Sequence, residues 1–153
     1  MDHAGNVDEE RSTLAMKDVP LSREYWPMAR ATDMDLHLAR LHRVNVLLMG
    51  PDRLIEDALE RLLPELCEPI HTWTAPDPLE LPSPVHSGTL ILREVGQLSP
   101  ADQCRLASWL EASAGRMQVI STTTSRLTRR VDAGSFLDSL YYRLNVVCVD
   151  ITA

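Results

Sequence analysis

The strongest constraint on the fold of this chain is an alternation between short apolar strands and segments with the periodicity of amphipathic helices. Residues 44–49 form a continuous apolar run that ends at Gly50, and the apolar side chains that follow recur at intervals of three and four residues, the spacing of one helix face. Further strands are predicted at 69–74, 88–92, 117–122 and 146–151. Asp52 is a candidate cap for the first helix, and Ser99 with Pro100 predicts the start of a later one. Apolar strands that alternate with helices are typical of a parallel sheet covered on both faces. The pattern therefore predicts a three-layer α/β fold with a parallel sheet.

The chain divides into three parts by composition. Residues 1–32 carry charged residues, prolines and only scattered apolar side chains, and such a segment buries too little surface to offset the entropy of ordering it. We therefore predict a flexible segment at 1–32, a linking helix at 33–43 and a folded domain at 44–153. Tyr25, Trp26 and Met28 are the exception in the first part, as candidates for docking onto the domain or onto a partner.

The charge balance excludes some classes of partner. A formal net charge of −7 argues against a broad nucleic-acid-binding surface, which needs clustered lysine and arginine. Arg126, Arg129 and Arg130 are either a small basic patch or, as we favour, a solvated helix face. No apolar run approaches the roughly 20 residues of a membrane span, and the acidic N-terminus is unlike a secretion signal. We expect a cytoplasmic protein that contacts neither DNA nor a membrane directly.

The cysteines are spaced too far apart for the usual cysteine motifs. Cys67, Cys104 and Cys148 form no C-x-x-C pair, and no histidine lies at ligand spacing from them. Zinc binding and a disulfide framework are therefore poorly supported, and no metal site is expected. Because Cys148 lies within an apolar run, we predict a buried, unreactive thiol there.

Three segments carry a resemblance to a known family. Residues 88–98 read GTLILREVGQL, which resembles the Walker B segment G-T-L-F-L-D-E-[IV]-G-E-L of bacterial sigma-54-dependent transcription activators. Residues 134–147 read GSFLDSLYYRLNVV and resemble the G-x-F-R-x-D-L-Y-Y-R-L-N-V-V of the same family. Between them, residues 119–124 stand where that family has its sensor I strand, V-I-A-A-T-N. The resemblance covers roughly residues 43–152.

The resemblance implies a P-loop NTPase core of the AAA+ class. In that family the domain binds ATP with Mg²⁺ between the subunits of a ring, hydrolyses it and remodels sigma-54 RNA polymerase through a G-A-F-T-G-A loop. The segment from Pro64 to Gly88 is short and proline-rich here and has no such motif. The sequence ends just after the last predicted strand, so we expect a truncated core without the helical lid or a helix-turn-helix.

The phosphate-binding loop of the family is the first feature that this chain lacks. The pattern G-x-x-x-x-G-K-[ST] supplies backbone amides and a lysine to the phosphates. Counted from Gly50, the second glycine is replaced by Ile55, the lysine by Glu56 and the hydroxyl residue by Asp57, and the only lysine in the chain is Lys17. Asp52 adds a further carboxylate. The sequence therefore predicts that binding of ATP in the usual mode is lost.

The remaining catalytic positions are altered in a similar way. Arg93 replaces the family aspartate that supports Mg²⁺, while Glu94 keeps the identity of the following glutamate. Thr124 stands in place of the sensor I asparagine. Of the two arginines that the family presents to a neighbouring subunit, one is Leu137 here and the other is retained as Arg143. Glu94 and Arg143 are thus vestigial catalytic residues, and Arg143 either acts in trans or, as we favour, pairs with an acid of its own domain.

Two of the replacements, Glu56 and Arg93, have opposite charges and belong to elements that are expected to end side by side. We predict that Arg93 pairs with Glu56 or Asp52 and fills the phosphate pocket with an internal ion pair. The alternative is that Arg93 pairs with Glu94 or points into solvent. The vestigial pocket consists of Gly50, Asp52, Glu56, Arg93 and Thr124.

Other polar and aromatic side chains have simpler interpretations. Tyr141 and Tyr142 are expected to pack at a helix end, and Trp73 and Trp109 are expected in the core or in an interface. The hydroxyl residues at 121–125 are either ligand contacts or, more commonly, turn and helix caps.

These observations favour a non-catalytic interaction domain connected with transcription regulation, whose partner is an intact AAA+ activator or a second copy of the chain. The alternative is an ATP-binding, sigma-54-interacting transcription regulator with weak or altered nucleotide binding. A third hypothesis is a protein that sequesters its partner through the segment that contains Tyr25 and Trp26.

Overall fold

The computed structural model describes residues 42–151 together with Leu36, His37 and Ala39. Its strands are β1 (Val46–Met49), β2 (Ile70–Thr74), β3 (Gly88–Arg93), β4 (Met117–Thr123) and β5 (Val147–Asp150). The helices that follow β1 are α1 (Asp52–Leu62), α2 (Pro100–Ser113), α3 (Leu127–Asp132) and α4 (Asp138–Leu144). Each predicted strand is present with ends that differ by at most two residues. The predicted flexible segment at 1–32 and most of the linking helix at 33–43 lie outside the described residues.

The five strands form one parallel sheet in the order β2-β3-β4-β1-β5. β1 lies between β4 and β5, with Val46 opposite Ile120 on one side and opposite Val147 on the other. β3 lies between β2 and β4, so β2 and β5 are the two edge strands. All four strand pairs are parallel, which confirms the predicted α/β class.

Each face of the sheet carries its own apolar core, because successive side chains of a strand point to opposite faces. One face, here called the α1 face, packs Leu48, Ile91 and Ile120 against α1. The other, here called the α2–α4 face, packs Leu47 and Val119 against the three later helices. The helix side chains in these cores are Ile55, Ala58, Leu59 and Leu62 from α1, and Leu106, Trp109, Leu110, Leu127, Leu140 and Leu144 from α2, α3 and α4. The predicted three layers are thereby confirmed.

The two long helices begin in different ways. α2 follows Ser99, whose hydroxyl accepts a hydrogen bond of 3.2 Å from the backbone N–H of Asp102, and Pro100 occupies the first helical position. This is the predicted cap. α1 follows Pro51, and no side chain caps it. The sequence suggested that Asp52 would cap this helix, which is wrong because Asp52 is already the first residue of the helix.

The proline-rich segment between β2 and β3 is held to the domain by side-chain donors. The indole N–H of Trp109 donates to the carbonyl oxygen of Pro82 at 2.7 Å, and the indole N–H of Trp73 donates to the carbonyl oxygen of Asp77 at 2.8 Å. Both indoles are buried, as predicted, because each nitrogen has an acceptor. The segment is therefore an ordered loop.

Two burial predictions are wrong. All three cysteines are free thiols with exposed side chains, including Cys148. β5 is an edge strand, and its alternate residues Val147 and Val149 face the α1 core, so Cys148 points away from that core. Tyr142 is 71% exposed and its ring meets that of Tyr141 edge to face, with the centroids 5.5 Å apart, whereas Tyr141 packs against the α2–α4 core.

Among the described residues, no helix is both long enough and apolar enough to cross a membrane.

Candidate functional site

The carboxyl ends of β1, β3 and β4 meet at one edge of the sheet because these strands are parallel. Gly50 follows β1, Arg93 and Glu94 end β3, and Thr124 follows β4. α1 starts two residues after Gly50. The predicted pocket residues are therefore brought together at this edge, which is called the strand-end site below.

Gly50 lies at a tightly packed position of this edge. Its backbone N–H donates to the carbonyl oxygen of Thr123 at 3.2 Å, which joins the end of β1 to the end of β4. A Cβ at this position would lie 3.2 Å from the Cβ of Ile151 and 3.3 Å from its carbonyl carbon. The close approach of Ile151, just beyond β5, therefore leaves little room for a side chain at this position.

An ion pair joins α1 to β3 at the strand-end site. The guanidinium of Arg93 contacts the carboxylate of Glu56, one turn into α1, and the two side chains are 32% and 47% exposed. The pairing predicted for Arg93 is confirmed, with Glu56 rather than Asp52 as the partner. At this exposure an ion pair contributes about 0.2–1 kcal/mol to the free energy of unfolding. Its main effect is therefore to hold the two side chains in place.

Glu94 has an unusual backbone conformation for a residue with a side chain. Its φ of 58° and ψ of 55° are left-handed, and its N–H donates to the hydroxyl of Thr122 at 3.2 Å. The Oε1 atom is buried and has no hydrogen-bond partner among the described residues. Strained backbone and an unpaired buried oxygen are both rare in folded proteins, and the sequence offered no sign of either. Glu94 therefore combines a strained backbone with a buried oxygen that has no partner among the described residues.

The hydroxyl residues at the end of β4 differ in their partners: the buried hydroxyl of Ser121 has none among the described residues, whereas that of Thr123 bonds the local backbone. Thr123 accepts a hydrogen bond of 3.3 Å from the N–H of Ser125 and donates one of 2.8 Å to the carbonyl oxygen of Ser125. This is the turn-capping use that we favoured. Thr124 itself is exposed at the end of β4.

Arg143 lies at the opposite end of the sheet. Its carbonyl oxygen accepts from the side-chain amide of Asn45, which precedes β1. Its guanidinium lies 3.4 Å from the carboxylate of Glu111 on α2, so the favoured pairing within its own domain is confirmed. Arg143 also lines a cavity of about 340 Å³ together with Met117, Tyr142 and Val146. The site residues named from the sequence are therefore divided between the two ends of the strands.

Arg126, just before α3, and Arg129 and Arg130 within it are exposed, and two of the three also contact other parts of the domain. Arg130 donates to the carbonyl oxygen of Gly96, and Arg126 lies 3.9 Å from Asp150. The sequence did not indicate either contact, because both join residues that are distant along the chain. Only the exposure of these side chains agrees with the favoured interpretation of a solvated helix face.

The donor set at the strand-end site is a poor match to ATP and Mg²⁺. Asp52 and Asp57 are exposed carboxylates on α1, where a triphosphate needs a cation. Arg93, already paired with Glu56, is a cation at the end of β3 and cannot serve as the oxygen ligand that Mg²⁺ requires. Among the described residues, no three histidine, cysteine or acidic side chains are grouped for metal binding.

The fold defines the class of protein. The parallel five-stranded sheet with helices on both faces is that of P-loop NTPases. The structure of NtrX from Brucella abortus in complex with ATP matches with a TM-score of 0.62 and 17% identity, over 80% of this chain and 36% of that chain. The P-loop NTPase domain of an Escherichia coli sigma-54 activator matches with a TM-score of 0.54 and 15% identity, over 76% of this chain and 94% of that chain. At these identities the similarity establishes the fold alone.

The sequence defines the family within this class. The sigma-54 interaction domain model matches residues 29–153, and the chain belongs to that family. The transcriptional regulatory protein ZraR of Escherichia coli is 39% identical over 75 residues, which are 42% of this chain and 17% of ZraR. The Nif-specific regulatory protein of Herbaspirillum seropedicae is 35% identical over 75 residues, 42% of this chain and 14% of that protein. The chain therefore corresponds to a small part of each relative.

Proposed function

We propose that this domain acts in transcription regulation as a non-catalytic interaction module that does not bind ATP. The observation that carries the proposal is the ion pair between Arg93 and Glu56 at the strand-end site. Glu56 stands at the lysine position of the phosphate-binding pattern, and Arg93 stands at the aspartate position that would support Mg²⁺. The two side chains neutralise each other. The residues at the positions of the family lysine and aspartate therefore pair with one another.

The electrostatics of α1 support the same proposal. A helix N-terminus attracts anions through its free N–H groups and its dipole. Here the first turn of α1 carries Asp52, and Asp57 follows one turn later. These carboxylates oppose a polyphosphate at the place where the helix would otherwise favour one. Pro51 also removes one N–H from the turn that leads into the helix.

The connection with transcription regulation comes from the family. The relatives named above are regulatory proteins of transcription, and the family model is that of a sigma-54 interaction domain. We infer that the retained sheet and helices present a surface to a protein of that machinery, either an AAA+ activator or another copy of the domain. Binding of sigma-54 itself belongs to this proposal.

Thermal unfolding with and without nucleotide tests the proposal. At about 1 mM ATP with Mg²⁺, binding with a dissociation constant about 100-fold lower than that concentration would stabilise the fold by about 2.7 kcal/mol. Such a stabilisation would raise Tm by several degrees. We expect no such rise. Brucella abortus NtrX, whose structure is described in complex with ATP, serves as the positive control.

A second measurement distinguishes weak ATP binding with hydrolysis from the absence of hydrolysis. Phosphate release is compared between the wild type and Glu94→Gln, because Glu94 is the retained position of the catalytic glutamate. We expect equal release at background level. Release by the wild type above that of Glu94→Gln, or a clear rise in Tm, would instead support an ATP-binding regulator with an altered pocket.

A further inference from the structure

We propose that two segments distant along the chain open and close as one conformational unit, which links the strand-end site to the start of α4. The first segment is the turn that follows β3 (residues 94–98), and the second is the loop that precedes α4 (residues 133–137). Gln103 and Arg130 connect them. The proposal concerns the folded domain whether or not a nucleotide binds, so its test is separate from that of the proposed function.

Gln103, in the first turn of α2, connects the two segments from inside the domain. Its side chain is 2% exposed, and its amide nitrogen donates to the carbonyl oxygens of Leu98 and Ser135, each at 3.1 Å. Its side-chain oxygen accepts from the N–H of Leu137 at 2.8 Å. A buried polar group without a partner is costly, and Gln103 keeps all three bonds only while both segments stay in place.

Arg130, on α3, makes a second connection at the surface. Its guanidinium donates to the carbonyl oxygen of Gly96 in the turn. Its backbone carbonyl oxygen accepts from the N–H groups of Ser135 and Phe136 in the loop, at 2.9 and 3.2 Å. Gly96 also lies close to α3, because a Cβ there would lie 3.3 Å from Cδ2 of Leu127. The turn and the loop are therefore bound to the same residue.

The turn contains a strained residue, Glu94. Its left-handed backbone, with a φ of 58°, is unfavourable for a residue that carries a Cβ. Release of this strain would change the direction of the chain just before Gly96. Because the carbonyl oxygens of Gly96 and Leu98 are the acceptors of Arg130 and Gln103, the release would act on both connections and through them on the loop.

The loop ends at an exposed part of the domain surface. Leu137, 37% exposed, immediately precedes α4, whose first residue is Asp138. Coupling between two regions is reciprocal in free energy. A contact made at the start of α4 would therefore change the turn at the strand-end site, and a change at the turn would alter the surface at Leu137.

Two variants of Glu94 separate the backbone strain from the side chain. Glycine adopts the left-handed conformation without a steric cost, whereas alanine keeps the Cβ and the strain. Both variants lack the carboxylate. Amide hydrogen exchange of the full chain is followed by NMR at Gln97 in the turn and at Ser135 in the loop, whose N–H groups donate to the backbone carbonyl oxygens of Glu94 and Arg130.

The expected result is slower exchange at both amides. In Glu94→Gly, Gln97 and Ser135 should exchange about fivefold more slowly than in Glu94→Ala, because the closed turn is no longer strained. Equal exchange rates of Ser135 in the two variants would overturn the proposal.

Removal of the connections should confine the effect to the turn. In chains that also carry Gln103→Met and Arg130→Ala, the ratio of rates should remain about fivefold at Gln97 and fall to about one at Ser135. Should this double variant fail to fold, Arg130→Ala alone, at an exposed residue, should lower the ratio at Ser135. Arg129→Ala, at its exposed neighbour, is the matched control and should leave the ratio unchanged. A ratio at Ser135 that survives removal of the connections would contradict the assignment.

Ala114 provides the control for global stability. It ends α2 with a left-handed backbone, with a φ of 47°, and lies outside the two segments. Ala114→Gly should relieve strain of the same kind and leave the exchange rate of Ser135 at its wild-type value. Slower exchange of Ser135 in this variant would mean that the loop opens only when the whole domain unfolds, which is the result that rules out a local unit.

Discussion

The α1 face and the α2–α4 face of the sheet differ in how far they keep the pattern of the sigma-54 activators. On the α2–α4 face, the segment 134–147 follows the family pattern closely, and its residues Leu140 and Leu144 are fully buried. On the α1 face, the segment from Gly50 to Asp57 keeps only the glycine. Yet Ile55 and Leu59 of α1 are buried equally well in their own core.

The contrast teaches that a segment can lose the family pattern of polar residues and still keep the apolar side chains that pack against the sheet. α1 keeps an apolar stripe toward the sheet and changes the residues that face the pocket, Asp52 and Glu56 among them. A core tolerates few changes because interiors are close-packed, whereas an exposed edge accepts a reversed charge when a partner such as Arg93 is reversed too. Both faces therefore keep a packed apolar core.

The largest effect is expected in the core of the α2–α4 face. Leu144→Ala removes a side chain with no exposed surface and should lower the free energy of unfolding by about 2–5 kcal/mol. Leu137→Ala, at a residue 37% exposed just before α4, should cost far less. Urea unfolding measures both. Similar losses in the two variants would show that α4 is not held by its buried side.

The two helix starts provide the second contrast. Ser99→Ala removes the cap of α2 and should lower the free energy of unfolding by about 1 kcal/mol. Asp52→Ala should change it less, because no side chain caps α1. The measurement is urea unfolding of each variant against the wild type. A larger loss for Asp52→Ala would reverse the comparison between the faces.

The ion pair of the α1 face should give a smaller coupling. A double-mutant cycle with Arg93→Ala and Glu56→Ala is expected to return about 0.2–1 kcal/mol, because both side chains are partly exposed. The pair Asp102 and Arg105 on α2, with N and O 3.0 Å apart, is the control on the other face. A coupling energy of zero for Arg93 and Glu56 would mean that the contact does not order the strand-end site.

The smallest effect concerns the thiol on the edge strand. The residue Cys148 is exposed overall, but partial burial of its thiol group, followed by the nearby Asp150 carboxylate, raises the pKa of Cys148 above the ordinary value of a thiol. The folded state thus holds this proton more tightly than the unfolded state, so stability is full below the ordinary thiol pKa and falls as the pH rises through it toward the raised value. Cys148→Ser should remove that fall.

The reaction of the same thiol with iodoacetamide gives a direct measurement of the shift. Alkylation of Cys148 in the folded chain should reach its half-maximal rate at higher pH than in the urea-unfolded chain, because the thiolate is the reactive form. Identical profiles would contradict the raised pKa.

Much of the fold follows from local patterns. The apolar runs located all five strands, and Ser99 with Pro100 predicted the start of α2, because a helix start depends on neighbouring residues alone. The same local reasoning was wrong for Asp52, where Pro51 took the cap position, and for Cys148 and Tyr142, because an edge strand and a helix end expose residues that an apolar run suggests are buried.

The sequence by itself determined the α/β class, the family and the reversed charges at the strand ends, since these depend on residue identity and order. Only the tertiary structure decided that Arg93 contacts Glu56 and not Asp52, that Gly50 makes room for Ile151, and that Arg143 pairs with Glu111 at the far end of the sheet. Each of these contacts joins residues that are distant along the chain. Strand order and packing, not spacing in the sequence, set the distances between them.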